Sequence, residues 1–434
     1  MSNSHRFKLF VMMVLEFFIW GAWLPLIFGY LPSLGFTPAE QAWILNAFPI
    51  AAVAGMFFSN QFCDRHFAAE KFLAFSHFVG GLAMLGLVFT KSFWPFFGLM
   101  LTHCLLYVPT LSIANSIAFT HMRDPQKEFG LVRVGGTLGW ILAAWPFTLI
   151  LVDWPKVHAA HPQGLVDWLG TALNSGLTGE ALKSATVWTF VVAGVASLTL
   201  ATFSFFLPHT PPKPAGAGAG EKLAWLKALK WLKHPFVLVL WGIALVDAFV
   251  QNVYFNWTGS FLGAAHQDGG VGVAGNWIMP VMSLGQVAEV LTMFILGGTL
   301  KRFGWRVTLT IGILGQAARF ATYSLFPEHR ELIILVQLLH GICYAFFFAT
   351  VYIFVDAYFP ADARSSAQGL FNVMILGAGA MLANTLCPWL MQNVFTHAGR
   401  VDFRGLFLVP TICSVVAALI LALFFHPPKV PVRS

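Results

Sequence analysis

Charge is what this chain has least of. Asp, Glu, Lys and Arg make up 10% of its 434 residues, where a soluble globular protein carries about a quarter. With 58% apolar residues and a mean hydropathy of +0.73, that scarcity excludes an ordinary water-soluble globule. Cysteine is nearly as thin. The five residues Cys63, Cys104, Cys343, Cys387 and Cys413 are scattered without close pair spacing, which speaks against a structural zinc site and a disulfide framework. Also missing are the Walker loop, the dinucleotide fingerprint, His-Glu-x-x-His and Gly-x-Ser-x-Gly. Nothing in the chain therefore argues for an enzyme, a metal or a cofactor.

What is present is apolar length. A helix that crosses a bilayer needs about 20 mainly apolar residues and satisfies its own backbone amides. Twelve stretches qualify: residues 8–31, 40–62, 71–90, 94–120, 131–152 and 185–207 (spans 1 to 6), then 235–262, 275–298, 305–326, 331–358, 364–394 and 404–426 (spans 7 to 12). The expected fold class is an all-α membrane protein, with the lipid bilayer as partner and solvent. The tight junctions at 31–40 and 91–94 make the flanking helices antiparallel neighbours. Span 1 continues well past the length of a signal-peptide core and no cleavage site stands out, so it is expected to remain as an anchor.

Between the two sets of six lies a stretch from 208 to 234 rich in Pro, Gly and Lys. It opens with Pro208, Pro211, Pro212 and Pro214 and continues through Ala215 to Gly220. Lys227, Lys230 and Lys233 then recur at spacing three beside a stripe of Leu223, Leu226, Leu229 and Leu232. This reads as a flexible cytoplasmic linker with an amphipathic basic helix at the membrane interface. It joins an N-terminal six-helix half, 1–207, to a C-terminal six-helix half, 235–434.

The positive charges set the orientation. With both termini cytoplasmic, 17 of the 25 Lys and Arg residues fall in inner tails and loops, 6 in outer loops, and Arg133 and Arg319 inside spans. That asymmetry is the one that topology requires. It also accounts for the net charge of +7 without any nucleic-acid partner.

Function in such a bundle resides in the few polar groups inside spans, because an ionisable side chain in hydrocarbon is costly unless it faces a cavity or a partner. Those groups are Glu16, Arg133, Asp247, Glu289 and Arg319, with His103 and His340. In span 5, Arg133, Thr137 and Trp140 follow at i, i+4 and i+7, so one face carries a charge, a hydroxyl and a large π-surface. Gly135, Gly136 and Gly139 allow a neighbouring helix to come close. Arg133 either lines a cavity or snorkels to the nearby interface.

Span 8 places Gln286 and Glu289 on one face. A buried carboxylate there can take and release a proton, or can pair with Arg319 or Arg133 to fix two helices. Span 7 carries Asp247, Gln251, Asn252 and Asn256, as cavity lining or as interhelical amide glue. In span 4, Tyr107, Ser112 and Asn115 surround Pro109, which either opens the backbone to a cavity or simply kinks the helix. Span 10 sets His340, Tyr344 and Phe347 or Phe348 on one face. Glu16, beside Trp20 and Trp23, is a cavity residue or a partner for a cation on span 5.

Five ordered segments carry a resemblance: Glu16 to Trp23, the Tyr107-Val-Pro-Thr-Leu run through Asn115, Arg133 to Gly139, Gln286 to Glu289, and Arg364 to Phe371. They are similar to those of the nucleoside:proton symporter family of the major facilitator superfamily, in order from about residue 8 to 426. The resemblance implies two pseudo-symmetric six-helix halves enclosing one central site that opens alternately to each side. It implies a nucleoside site at Arg133, Thr137, Gln286 and Glu289, joined by Trp140; His340 and Tyr344 are further candidates, as are Gln251, Asn252 and Asn256 of span 7, among which the resemblance does not choose. A flat base suits stacking and vicinal hydroxyls suit amide and carboxylate acceptors.

One position departs from the family, whose members can carry an acid where this chain has Ala345. Coupling then falls to Glu289 and His340, or the protein is a facilitator. The expected protein is a monomeric importer of nucleosides with protons, in a bacterial-type inner membrane. The alternatives are a carrier of another small polar solute, such as a sugar or nucleobase, and a nucleoside receptor that transports nothing.

Overall fold

The computed structural model describes residues 3–55, 67–122, 125–212, 229–359 and 364–427. Among these, helices dominate, and nine are long and apolar enough to cross a membrane. Eight of the nine coincide with one expected span each. The ninth, Gly275–Leu325, has 51 residues and non-helical backbone at Gly304, with φ 73°. At 1.5 Å per residue it would run about 77 Å, far more than one bilayer, so the Gly304 break falls where spans 8 and 9 meet. Spans 2 and 5 are helical at Pro38–Leu45 with residues 47–55, and at Pro125–Ala144.

Local chemistry explains the helix ends. Thr37 opens Pro38–Leu45 with a capping box: its N–H donates to Glu40 Oε2 at 2.8 Å, while the Glu40 N–H donates to Thr37 Oγ1 at 3.3 Å. Pro38 sits at the first helical position, where its missing N–H costs nothing. Span 5 begins at Pro125 for the same reason, six residues earlier than apolarity suggests, and stops at Ala144 ahead of Pro146.

The chain forms two compact units. The first comprises Met1–Ala215 and Phe255–Leu284, the second Gly216–Tyr254 and Gly285–Ser434. In the first, spans 1 and 5 lie backbone to backbone. A Cβ at Gly135 would come within 2.8 Å of the Phe10 carbonyl oxygen, and one at Gly139 would collide with the Val14 carbonyl. Gly81 and Gly194 bring spans 3 and 6 together in the same way. The stretch after span 5 folds into three short helices, Trp154–Ala159, Gly164–Leu173 and Gly179–Ala185. They form a small cap in which Trp154 stacks on Trp168. The cap is tied to the start of span 8, where Asn276 Nδ2 and Trp277 Nε1 both donate to the Leu173 carbonyl.

In the second unit, Phe347, Phe354, Phe371, Leu421 and Phe425 pack into one core. Two single π-turns interrupt its helices, Tyr344–Ala349 and Val373–Ala378. A two-stranded hairpin, Thr396–His397 with Arg400–Val401, turns between spans 11 and 12 through Ala398 and Gly399, both at positive φ. Of the expected amphipathic linker helix, residues 213–228 lie outside the described residues, and Leu229–Lys233 is a 3₁₀ turn. Cys63 and Arg65 also lie outside them.

Candidate functional site

In the first unit, span 5 divides into two faces. Leu138 and Leu142 point outward, as on a lipid-facing surface, whereas Arg133, Thr137 and Trp140 are half-buried. The Arg133 guanidinium lies 4.3 Å from the centre of the Phe17 ring on span 1. Such a cation over a π-face is held in place yet keeps its N–H donors available. Trp140 meets Trp20 edge-on at 5.2 Å and Phe255 at 6.1 Å, and Trp20 stacks on Phe48 at 4.6 Å. Spans 1, 2, 5 and 7 thus build an aromatic wall beside the arginine. The Trp20 indole N–H is buried and has no partner among the described residues.

The second unit holds a chain of buried polar groups. Gln251 Oε1 accepts from Gln316 Nε2 at 2.8 Å, and Gln316 Oε1 accepts from Arg319 Nη2. Arg319 Nη1 in turn donates to His340 Nδ1 at 3.0 Å, and its guanidinium lies 4.1 Å from the Tyr254 ring centre. Arginine only donates, so Nδ1 of His340 is the acceptor and the ring hydrogen belongs on Nε2. That nitrogen is 3.4 Å from the Gln286 amide. Gln286 Oε1 is buried and without a partner among the described residues. Turning the amide puts its oxygen on the His340 N–H and leaves the NH₂ group as a donor for a ligand.

The expected residues are therefore brought together unequally. Gln286, His340 and Gln251 belong to one connected network, with Glu289 half-buried one turn further along span 8. Gly285 sits against His340, and a Cβ at Gly341 would strike the Ala288 to Glu289 backbone, so spans 8 and 10 touch at this point. Asn252 turns back onto its own helix, donating to the Ala248 carbonyl at 2.8 Å. Tyr344 begins the π-turn of span 10, and Ala345 is fully buried against Leu296 and Phe346. The site that could carry the family's acid is thus filled by apolar packing. His340 has its Nδ1 held by the Arg319 guanidinium.

Sequence reading passed over two residues. Gln316 lies three residues before Arg319, on the same helix face, and that spacing is a usable signal. His77, in span 3, was one apolar-span histidine among fourteen, with nothing in its neighbours to single it out. Asp247 is 1% exposed, both its carboxylate oxygens are buried without a hydrogen-bond partner among the described residues, and it lies within the field of Arg319.

Comparison with known proteins places this geometry. The crystal structure of nucleoside transporter NupG superposes with a TM-score of 0.79 at 21% identity, covering 99% of this chain and 100% of that one. The inward-open xylose transporter XylE from E. coli gives 0.64 at 15% identity, covering 98% and 97%. The protein thus has the major facilitator fold.

The family model described as "Nucleoside H+ symporter" matches residues 3–178 and 163–430, and the chain belongs to that family. YegT of Escherichia coli (strain K12) is 30% identical over 428 residues, 96% of this chain and 93% of its own length. Xanthosine permease of the same strain is 25% identical over 421 residues, 94% and 92%. The activity is proton-coupled nucleoside transport.

Proposed function

We propose that the protein imports nucleosides with protons by alternating access, as two six-helix halves, 1–207 and 235–434, joined by the 208–234 linker. It works as a monomer in the bilayer with both termini cytoplasmic. Arg133, Thr137 and Trp140 hold the substrate from the first unit, and Gln286 and Glu289 from the second. Gln251, His340 and Tyr344 support the second set. The base stacks in the Trp140 and Trp20 region, where Arg133 and the Trp20 N–H offer donors. The ribose hydroxyls reach the Gln286 amide and the Glu289 carboxylate.

The observation that carries this reading is the division of span 5, whose family-like residues are half-buried on one face while leucines occupy the exposed one. Labelled uridine uptake into proteoliposomes, with adenosine, free bases, ribose and xylose as competitors, tests it. Competition by nucleosides alone is the expected result. Equal competition by ribose or xylose would assign the site to sugars.

A further inference from the structure

Ala345 leaves the second unit without the carboxylate that the family can place there, and His340 is committed to Arg319. The first unit contains a fully buried acid and base that the substrate site does not use. Glu16 on span 1 is 0% exposed and His77 on span 3 is 1% exposed. His77 Nε2 lies 3.0 Å from Glu16 Oε2, and its Nδ1 lies 3.1 Å from Ser197 Oγ on span 6.

The hydrogen bonds fix how many protons this pair holds. The Ser197 hydroxyl donates to the His77 backbone carbonyl at 2.9 Å, which uses its single hydrogen. Ser197 must then accept from Nδ1, so Nδ1 carries a hydrogen. If Nε2 is bare, Glu16 must be protonated to make the 3.0 Å contact. If Glu16 is ionised, Nε2 must carry a second hydrogen. In either case one proton lies between Glu16 and His77 and the pair is neutral overall.

Losing that proton would set a carboxylate oxygen against a lone pair at 3.0 Å in a dry interior. The relaxed alternative moves the ring hydrogen to Nε2 and swings the Ser197 hydroxyl from the backbone carbonyl onto Nδ1. The unloaded pair then carries a net negative charge, which needs a cation.

The surrounding groups show which cation is available. From span 4, Tyr107 donates to the Glu16 backbone carbonyl at 2.6 Å, and the Thr110 hydroxyl lies 2.6 Å from Glu16 Oε1. His103, stacked on Tyr107 at 5.3 Å, donates its Nδ1–H to the Gly80 carbonyl, and Cys104 is a buried free cysteine. Span 6 contributes Ser197. From span 5 comes Arg133, over Phe17 next to Glu16 and within electrostatic reach of Tyr107.

We propose that Glu16 and His77 form the proton-carrying site of this transporter, and that Arg133 links it to the substrate. With the proton bound, the pair is neutral and Arg133 is free for the nucleoside. When the proton leaves, the Glu16 carboxylate competes for Arg133 and weakens the substrate's hold. This rests on the transport reading above. It assigns the coupling that Ala345 leaves open to spans 1, 3 and 6.

The test uses the full-length protein in proteoliposomes with an imposed pH difference of about one unit, which can drive about tenfold accumulation at one proton per nucleoside. Wild type should accumulate uridine, and failure to do so would overturn the transport reading together with this one. Glu16→Gln should abolish accumulation while uridine counterflow, with no gradient, stays within about threefold of wild type. Its uptake rate should also become flat between roughly pH 5.5 and 8.

A Glu16→Gln protein that still accumulates tenfold refutes the site while leaving nucleoside transport intact. If that variant loses counterflow as well, Ser197→Ala decides. It removes the acceptor for Nδ1–H and should move the pH of half-maximal uptake about one unit lower. An unmoved profile refutes the site.

Discussion

At the level of single residues, Arg133 and Glu289 carry the sharpest expectations. Arg133→Ala removes a charged hydrogen-bond donor that Phe17 holds in position, so nucleoside affinity should fall about 10- to 100-fold. A binding isotherm with unchanged affinity would return Arg133 to a purely structural place against span 1. Glu289→Gln exchanges the ribose-facing carboxylate for a neutral amide, so nucleoside affinity should fall about tenfold while accumulation under a pH gradient persists. Lost accumulation with unchanged affinity in that variant would move the proton site from Glu16 and His77 to Glu289.

The i, i+4, i+7 spacing of Arg133, Thr137 and Trp140 was legible because one helix dictates it. The Gln251, Gln316, Arg319 and His340 chain was not, because its members come from three spans and their meeting depends on packing. Glu16 stood out as a charge in an apolar run. Its partner did not, since a histidine in such a run is equally at home as a satisfied core residue.

At the level of elements, apolar length located the spans closely but left their ends to chemistry it does not encode. Span 5 starts at Pro125 because a proline suits the first helical turn, although Gln126, Lys127 and Glu128 break the apolar run there. The cap, 154–185, is not legible as structure in the sequence because its helices are short and expose Leu165 and Val166. The π-turn at Tyr344 adds a residue to one turn of span 10, which no periodicity argument anticipates.

The glycines of span 5 are more telling. Gly139→Leu drives a side chain into the Val14 carbonyl and should cost more than about 3 kcal/mol, enough to prevent recovery of monodisperse protein by size-exclusion chromatography. Gly98→Ala, on span 4 with open space around it, should leave yield and uptake at wild-type levels.

At the level of the whole molecule, the twelve-span reading and the inward placement of positive charge make a topological prediction. Cysteines introduced at Ser2 and at Ser434 in a protein lacking native cysteines should both be modified by a membrane-impermeant reagent only after the membrane is permeabilised, in right-side-out vesicles. Labelling of either one in sealed vesicles would invert or offset the arrangement.

The membrane class and the family were readable from apolar length and five motifs, because lipid imposes so few alternatives on a backbone. The proton site was not readable, because Glu16 becomes part of a site only when folding brings His77 of span 3 and Ser197 of span 6 to it. The seam between spans 1 and 5 has a practical consequence for measuring motion. With carbonyls of one helix lying where side chains of the other would stand, the pair is closely seated and is expected to move as a single rod. Probes on its two helices should report one constant distance in every state of the cycle, an internal ruler against which all other distances can be calibrated.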